Sequence, residues 1–184
     1  MKYKISYFYL EKKTMNYFKK SIISGLNEYE EILFKSINSL NKKELSWRPN
    51  KHSNNIIFLL WHMILVEDNL INKILKKEER LWIRFNYYEK FPELKYETGF
   101  GFSQEKINSF PEMDLNWLLD YYSEVRKKTN YLLENISDNE LGLKYSWGDK
   151  KISGFFIIGR LITELSQHLG QISYIRGMLR GLNN

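Results

Sequence analysis

The chain contains no cysteine, and this absence excludes disulfide frameworks and thiolate zinc sites. Any thiol chemistry would therefore need a thiol carried by another molecule. Proline and glycine are also scarce, with 3 and 10 copies in 184 residues, so few positions interrupt a helix. A chain of 184 residues fits one domain, and its 43% of hydrophobic residues can fill a core. This composition predicts an all-α protein rather than a turn-rich β-sandwich.

No hydrophobic run in the sequence is long enough to cross a membrane. The longest, Ile56–Val66, has eleven residues and includes His62, whereas a spanning helix needs about 20 apolar residues. The beginning of the chain, Met1–Leu10, has too short an apolar stretch for a signal peptide. We therefore expect a cytoplasmic protein with no membrane partner.

A concentrated charge of one sign is also missing, although the net charge is +6. The 22 acidic residues are mixed with the 28 basic ones, and neither a recognition motif nor a one-sided lysine stripe is visible. Nucleic-acid binding would rest on net charge alone. It is the weakest of the functional interpretations.

Apolar residues that recur at intervals of three and four predict four long helices, and hence a four-helix bundle. Ser53, Asp114 and Ser153 stand before three of these helices and are candidate N-caps. A loop with a short helical piece is predicted for Ser137–Lys151. The four predicted helices cover about residues 16–40, 54–77, 115–135 and 154–179.

The connection between the second and third helices, residues 78–113, is long and partly irregular. Aromatic residues stand there among glycines and prolines without a sustained period, and one short helix is predicted near Gln104–Phe110. Connections of this length usually carry function or shape a site. Residues 1–15 precede the helical pattern, so we interpret them as an N-terminal extension of a single domain, 1–184, with Met15 as an alternative start.

Three polar side chains fall on apolar faces and are the candidate functional residues. His62 is the only non-apolar residue in its run, so its ring must lie in the interior and needs a partner there. Glu164 and His168 lie one turn apart on the apolar stripe of the last helix, and a buried carboxylate also needs compensation. All three can bind one divalent metal ion. A metal-free network, in which Glu164 pairs with a protonated His168 or His62, explains the spacing equally well.

Four segments resemble the DinB superfamily, in the order that the family has them. The segment Glu164–Gly177 is similar to the family's C-terminal signature, and the other three are Leu45–Pro49, Trp61-His62 with Glu67-Asp68, and Thr98–Glu105. The resemblance implies a four-helix bundle, often a homodimer, with a divalent metal on three side chains. Those ligands would be His62, Glu164 and His168. Many relatives have histidine where this chain has Glu164.

The resemblance also implies a range of functions. Characterised relatives include enzymes that use a low-molecular-weight thiol, such as mycothiol-dependent isomerases and thiol S-transferases. Our leading hypothesis is therefore a metal-dependent enzyme that acts on a small molecule through a thiol cosubstrate. Its ion would be zinc, nickel, iron or manganese, next to a cavity walled by aromatic residues of the 78–113 connection. The alternative hypothesis is a non-catalytic, metal-binding, stress-associated homodimer.

Overall fold

The computed structural model describes residues 16–181, and this part of the chain is mostly helical with one two-stranded hairpin. The predicted N-terminal extension, residues 1–15, and the alternative start at Met15 lie outside the described residues. No helix within the described range is both long and apolar enough to cross a bilayer. In chain order the elements are α1 (Tyr17–Ile37), α2 (Lys42–Leu45), α3 (Ile56–Asp68), α4 (Leu81–Arg84), α5 (Gln104–Asn108), α6 (Leu115–Asn135), α7 (Asp138–Gly142), β1 (Lys144–Trp147), β2 (Lys150–Ser153) and α8 (Gly154–Arg180).

Four long helical segments, α1, α3, α6 and α8, surround one hydrophobic core. Helix α8 packs against α1 and α3, and α6 packs against the same two helices. Each long helix contributes side chains that are fully buried, for example Leu26, Leu60, Val125 and Leu161. The four helices were predicted from their apolar spacing, and their positions are confirmed to within a few residues. Helix α3 continues as a π-helical segment, Asn69–Leu75.

The helices begin where polar side chains cap their first backbone N–H groups. The predicted caps Asp114 and Ser153 are confirmed, since they accept hydrogen bonds from the N–H groups of Trp117 and Phe156. The predicted cap Ser53 is wrong. The cap of α3 is Asn55, whose side-chain oxygen accepts from Phe58 N at 2.8 Å, because the helix starts two residues later than the sequence pattern indicated.

The predicted loop Ser137–Lys151 contains a short helix, α7, as expected, but its second half is a hairpin that was not predicted. Strands β1 and β2 pair antiparallel, and Tyr145 lies opposite Ile152. Gly148 adopts a φ of +56° in the two-residue turn, a conformation that such turns require. The buried Tyr145 donates its hydroxyl to the carbonyl oxygen of Glu140 at 2.8 Å, which fastens the hairpin to α7.

The connection 78–113 contains the predicted short helix, α5, and also α4 and two 3-10 turns, Tyr87–Lys90 and Pro92–Leu94. Its start is held by Asp68, the last residue of α3, which is fully buried. The Asp68 carboxylate accepts hydrogen bonds from the backbone N–H groups of Leu81 and Trp82, each at 3.0 Å, and from Tyr121 Oη at 2.6 Å. These bonds compensate the buried charge and fix the start of the connection on the core.

Candidate metal centre

His62 lies in the middle of α3, a helix that is apolar on nearly all sides, and is only 7% exposed to solvent. Its Nδ1 atom donates a short hydrogen bond to the carbonyl oxygen of Thr98, in the connection 78–113. Because a carbonyl oxygen can only accept, Nδ1 carries the hydrogen. The Nε2 atom of His62 therefore has a free lone pair, which is the form of imidazole that binds metals.

Gly99 allows the backbone of the connection to come this close to His62. Its φ is +85°, and a Cβ atom there would lie 2.9 Å from Trp61 Cζ3, 3.0 Å from His62 Nδ1 and 3.1 Å from Phe58 Cζ. The Phe58 ring stacks parallel to the His62 ring, with centroids 6.0 Å apart. Packing and the Thr98 hydrogen bond together leave the His62 ring one orientation.

Glu164 and His168 lie on the face of α8 that was predicted to point toward the core. Glu164 is 7% exposed, and the side chain of His168 is 15% exposed. The Nδ1 atom of His168 lies 3.3 Å from the side-chain oxygen of Gln171, to which it donates. Its Nε2 atom faces Glu164 Oε2 at 3.1 Å.

The contact between His168 and Glu164 indicates what could lie between the two side chains. With the hydrogen of His168 on Nδ1, both Nε2 and the carboxylate oxygen are acceptors, and two acceptors 3.1 Å apart repel unless a proton or a cation lies close to both. Burial lowers the pKa of His168, its contact with Gln171 raises it, and the positive charge of Arg160 lowers it. A metal ion satisfies both atoms.

The structure brings the three predicted ligands together. One ligand atom each from His62, Glu164 and His168 lies within 4.8 Å of the other two. The two imidazole rings are perpendicular, with centroids 4.7 Å apart. A transition ion binds such atoms at about 2.0–2.2 Å, which places them about 3–4 Å from one another. Small side-chain rotations therefore close the group around one ion.

The electrostatic environment keeps both histidines in the form that binds metals. Burial lowers the pKa of His62, while its bond to the Thr98 carbonyl raises it and the neighbouring His168 lowers it. The pKa of His168 is lowered by burial as well. Both shifts favour the neutral form of the ring.

Two other polar residues in or near α3, His52 and Glu67, lie outside the centre. His52 is exposed in the loop before α3 and has no part in the centre. Glu67 does not share the ligand direction of His62. It is fully buried and accepts hydrogen bonds from Arg126 Nη2 at 2.9 Å and Thr129 Oγ1 at 2.6 Å.

Sequence reasoning missed Arg160, which contacts the other carboxylate oxygen of Glu164, Oε1, through Nη2. The signal was the spacing of four residues on one helix, at which a basic and an acidic side chain meet. The role of Thr98 was also missed. Its contact to His62 is made by a backbone carbonyl, 36 residues along the chain, so side-chain identity carries no sign of it.

The cavity walled by aromatic residues of the 78–113 connection stays a prediction. Two of these residues, Phe102 and Phe110, pack on Phe58 and Trp61 in the interior. A groove of about 470 Å³ lies between the loop before α3 and the second half of α8, and Gln171, which contacts His168, is one of its lining residues. It is lined by Pro49, Asn50, His52, Ser53, Asn54, Leu59, Gln171, Tyr174, Ile175 and Met178.

Comparison with known proteins identifies the family. A family model of the DinB superfamily matches residues 27–172, a range that includes all three candidate ligands. This chain belongs to the DinB superfamily. No curated protein matches it.

One solved structure similar to this DinB-superfamily chain is that of a conserved protein from Enterococcus faecalis. The two chains are 20% identical and superpose with a TM-score of 0.78, over 89% of this chain and 98% of the other. At this identity the likeness shows a shared fold.

Proposed function

We propose that this DinB-superfamily protein is a metal-dependent enzyme that acts on a small molecule, with His62, Glu164 and His168 as the ligands of one divalent transition ion. The observation that carries the proposal is the direction of the ligand atoms. Each histidine directs Nδ1 at a protein oxygen, Oε2 of Glu164 faces Nε2 of His168 at 3.1 Å, and one ligand atom of each residue lies within 4.8 Å of the other two. Two imidazoles and one carboxylate suit zinc, nickel, iron or manganese.

The number of ligands favours catalysis over a purely structural ion. Within the described residues only these three side chains form a group that can hold an ion, whereas structural zinc sites usually have four protein ligands. An ion with three protein ligands keeps a position for another molecule. When bound, it would polarise a substrate group and lower the pKa of a thiol or a water molecule there.

The groove beside the centre supports a small-molecule substrate. Gln171 holds the His168 ring and also lines the groove, so one side chain joins the two. The volume of about 470 Å³ is in the range typical of small-molecule sites. None of the lining residues is an aspartate, glutamate, lysine or arginine, so the groove suits a molecule with hydroxyl or amide groups. A thiol cosubstrate, if used, must enter from solution because the chain has no cysteine.

The residues of the chain have three tasks in this proposal. Thr98 and Gln171 orient the two rings, so that the ligand atoms are preorganised. Phe58 and Trp61 keep water from the inner side of His62. The polar side chains of the groove would orient the substrate.

A second candidate function is a non-catalytic metal-binding homodimer. Exposed aromatic side chains near the starts of α1 and α8 favour association, since Tyr17, Phe18, Phe155 and Phe156 are between 42% and 86% exposed. Sedimentation at micromolar concentration tests this part. A species of one chain's mass, 22.3 kDa, would exclude the dimer under both candidate functions.

Three further sequence predictions belong with this proposal. We infer that the four long helices form the four-helix bundle of the superfamily, and that residues 1–184 form one domain. Their packing around one core supports the bundle. The cytoplasmic location stays a prediction, which fractionation of the source cells tests.

The catalytic part is tested by loading the metal-free protein with zinc, nickel, iron or manganese and screening thiol transfer to small electrophiles. Each reaction is run with several low-molecular-weight thiols and repeated with His168→Ala. We expect at least one metal and thiol pair to give turnover that the variant lacks. Turnover equal in protein and variant, or none with any loaded metal, would favour the non-catalytic candidate.

A further inference from the structure

The two oxygens of the Glu164 carboxylate have different partners. Arg160, one turn earlier on α8, contacts Oε1 through Nη2, while Oε2 faces His168 Nε2 at 3.1 Å. The Arg160 side chain is 36% exposed and that of Glu164 is 9% exposed, so the ion pair lies at the edge of the centre. One oxygen is therefore bound to a fixed cation and the other is directed at the ligand atom of His168.

This division matters because a carboxylate can bind a metal through one oxygen or through both. A guanidinium that holds one oxygen by a charge-assisted hydrogen bond competes with the metal for that oxygen. We propose that Arg160 is a positioning residue that restricts Glu164 to coordination through Oε2 alone. This inference rests on the metal site of the proposed function and defines how that site binds its ion.

Arg160 also places a positive charge beside the ion. The guanidinium contacts Oε1 of Glu164, whose other oxygen lies 3.1 Å from His168 Nε2, so its charge lies close to the ligand atoms. A cation near a divalent ion weakens binding by charge repulsion. Removing the guanidinium therefore has two effects in the same direction: it frees Oε1 to coordinate, and it removes the repulsion.

The test compares Co²⁺ binding by the wild type, Arg160→Met, Arg160→Lys and a control, Arg84→Met. Arg84 makes a similar exposed ion pair with Glu78, at 2.6 Å and 40% exposure, but outside the centre. Affinity is measured by competition with a chelator. Coordination number is followed by visible absorption, which weakens as Co²⁺ gains ligands beyond four.

We expect Arg160→Met to bind Co²⁺ about tenfold more tightly, from loss of the charge and gain of an oxygen ligand. Its absorption per bound ion should be weaker than that of the wild type. Arg160→Lys, which retains the charge and one donor to the carboxylate, should resemble the wild type. Arg84→Met should change neither property.

The outcomes separate this inference from the proposed function. If the wild type binds Co²⁺ but Arg160→Met has the same affinity and spectrum, the ion pair is only a surface contact and the inference is overturned alone. Weaker binding by Arg160→Met at an unchanged melting temperature would also overturn it. If the wild type binds no Co²⁺, both the inference and the proposed metal site fail.

Discussion

The rings of His62 and His168 are perpendicular, with centroids 4.7 Å apart, although the residues are separated by more than a hundred positions in the sequence. Each ring is fixed by a hydrogen bond from its Nδ1 atom, to the carbonyl oxygen of Thr98 and to the side chain of Gln171. Because both rings use Nδ1 for this support, Nε2 is the remaining ring nitrogen on each, and that of His168 faces Glu164 Oε2 at 3.1 Å. This arrangement gives a hydrogen-bond partner to the buried ring of His62 and to the half-buried ring of His168.

Gly99→Ala should displace His62, because the substitution adds a side chain against the His62 ring. The new Cβ would lie 3.0 Å from His62 Nδ1 and 2.9 Å from Trp61, in a backbone conformation that alanine disfavours. We expect a loss of about 2–4 kcal/mol in the free energy of unfolding, measured by urea denaturation, and weaker metal binding. Gly101→Ala is the matched control. It has a φ of +72° but nothing within 4 Å, so it should cost about 1–2 kcal/mol and leave metal binding unchanged.

Equal effects of the two glycine substitutions on metal affinity would contradict the role given to the loop. The contact between Thr98 and His62 would then not depend on the close approach at Gly99.

Asp68→Asn should destabilise the protein without touching the metal ligands. The buried carboxylate accepts from Leu81 N, Trp82 N and Tyr121 Oη, and an amide replaces one acceptor oxygen by a donor. We expect a loss of about 2–4 kcal/mol by urea denaturation. Asp114→Asn is the control, because asparagine caps a helix as well as aspartate, and it should stay within about 0.5 kcal/mol. A tolerated Asp68→Asn would show that the hydrogen bonds at the start of the connection are dispensable.

The stability of the metal-free protein should depend on His62 below neutral pH. Burial lowers the pKa of this ring from its ordinary 6.5, so the unfolded chain binds its proton more readily than the folded one. Stability is therefore fully present above pH 6.5 and is lost as the pH falls toward the lowered pKa. Urea denaturation between pH 8 and pH 5 should show a decline that is shallower in His62→Gln.

His52→Gln, at an exposed loop position, serves as the control in this pH series. If the stability of His62→Gln and of His52→Gln depends on pH in the same way as that of the wild type, the buried ring does not contribute to the pH dependence.

Glu164→His distinguishes metal binding from a metal-free ion pair. A histidine at this position keeps a competent ligand next to His168, so the variant should still bind about one ion per chain by elemental analysis. A metal-free network instead needs the negative charge that Arg160 and His168 contact. That model expects Glu164→His to lower the melting temperature and to bind no ion.

Most of the helical framework was predictable because local pattern decides it. Helix α6 has the predicted bounds, since Asp114 caps an amphipathic stretch with apolar residues at helical intervals. His62, Glu164 and His168 were identified as interior residues for a related reason. Each interrupts an apolar run or stripe, and a polar group there needs a partner.

The features that were not predicted depend on contacts between distant segments. The Thr98 carbonyl reaches His62 beside Gly99, whose missing Cβ permits the close approach, in a connection that Asp68 anchors at its start. Strands β1 and β2 have only four residues each. Tyr145 is the single buried residue of β1, and one buried residue is too weak a pattern to indicate a strand. In the sequence, Arg160 has the pattern of an ordinary surface arginine. Its role becomes visible only once its carboxylate partner, Glu164, is known to be a candidate ligand.

The most direct test of the account is the metal content and chelator response of the purified protein. The wild type should bind about one divalent transition ion per chain, and His62→Ala or His168→Ala should abolish most of that binding. An ion at one hundred times its Kd adds about 2.7 kcal/mol of stability. For a chain of this size that corresponds to a melting temperature about 5–10 °C higher.

A chelator should therefore lower the melting temperature of the wild type by about that amount and barely change that of either variant. The contradicting result is a protein that stays metal-free after incubation with zinc, nickel, manganese and iron, and whose melting temperature does not change when the chelator is added. That result would exclude both the site and the catalytic proposal.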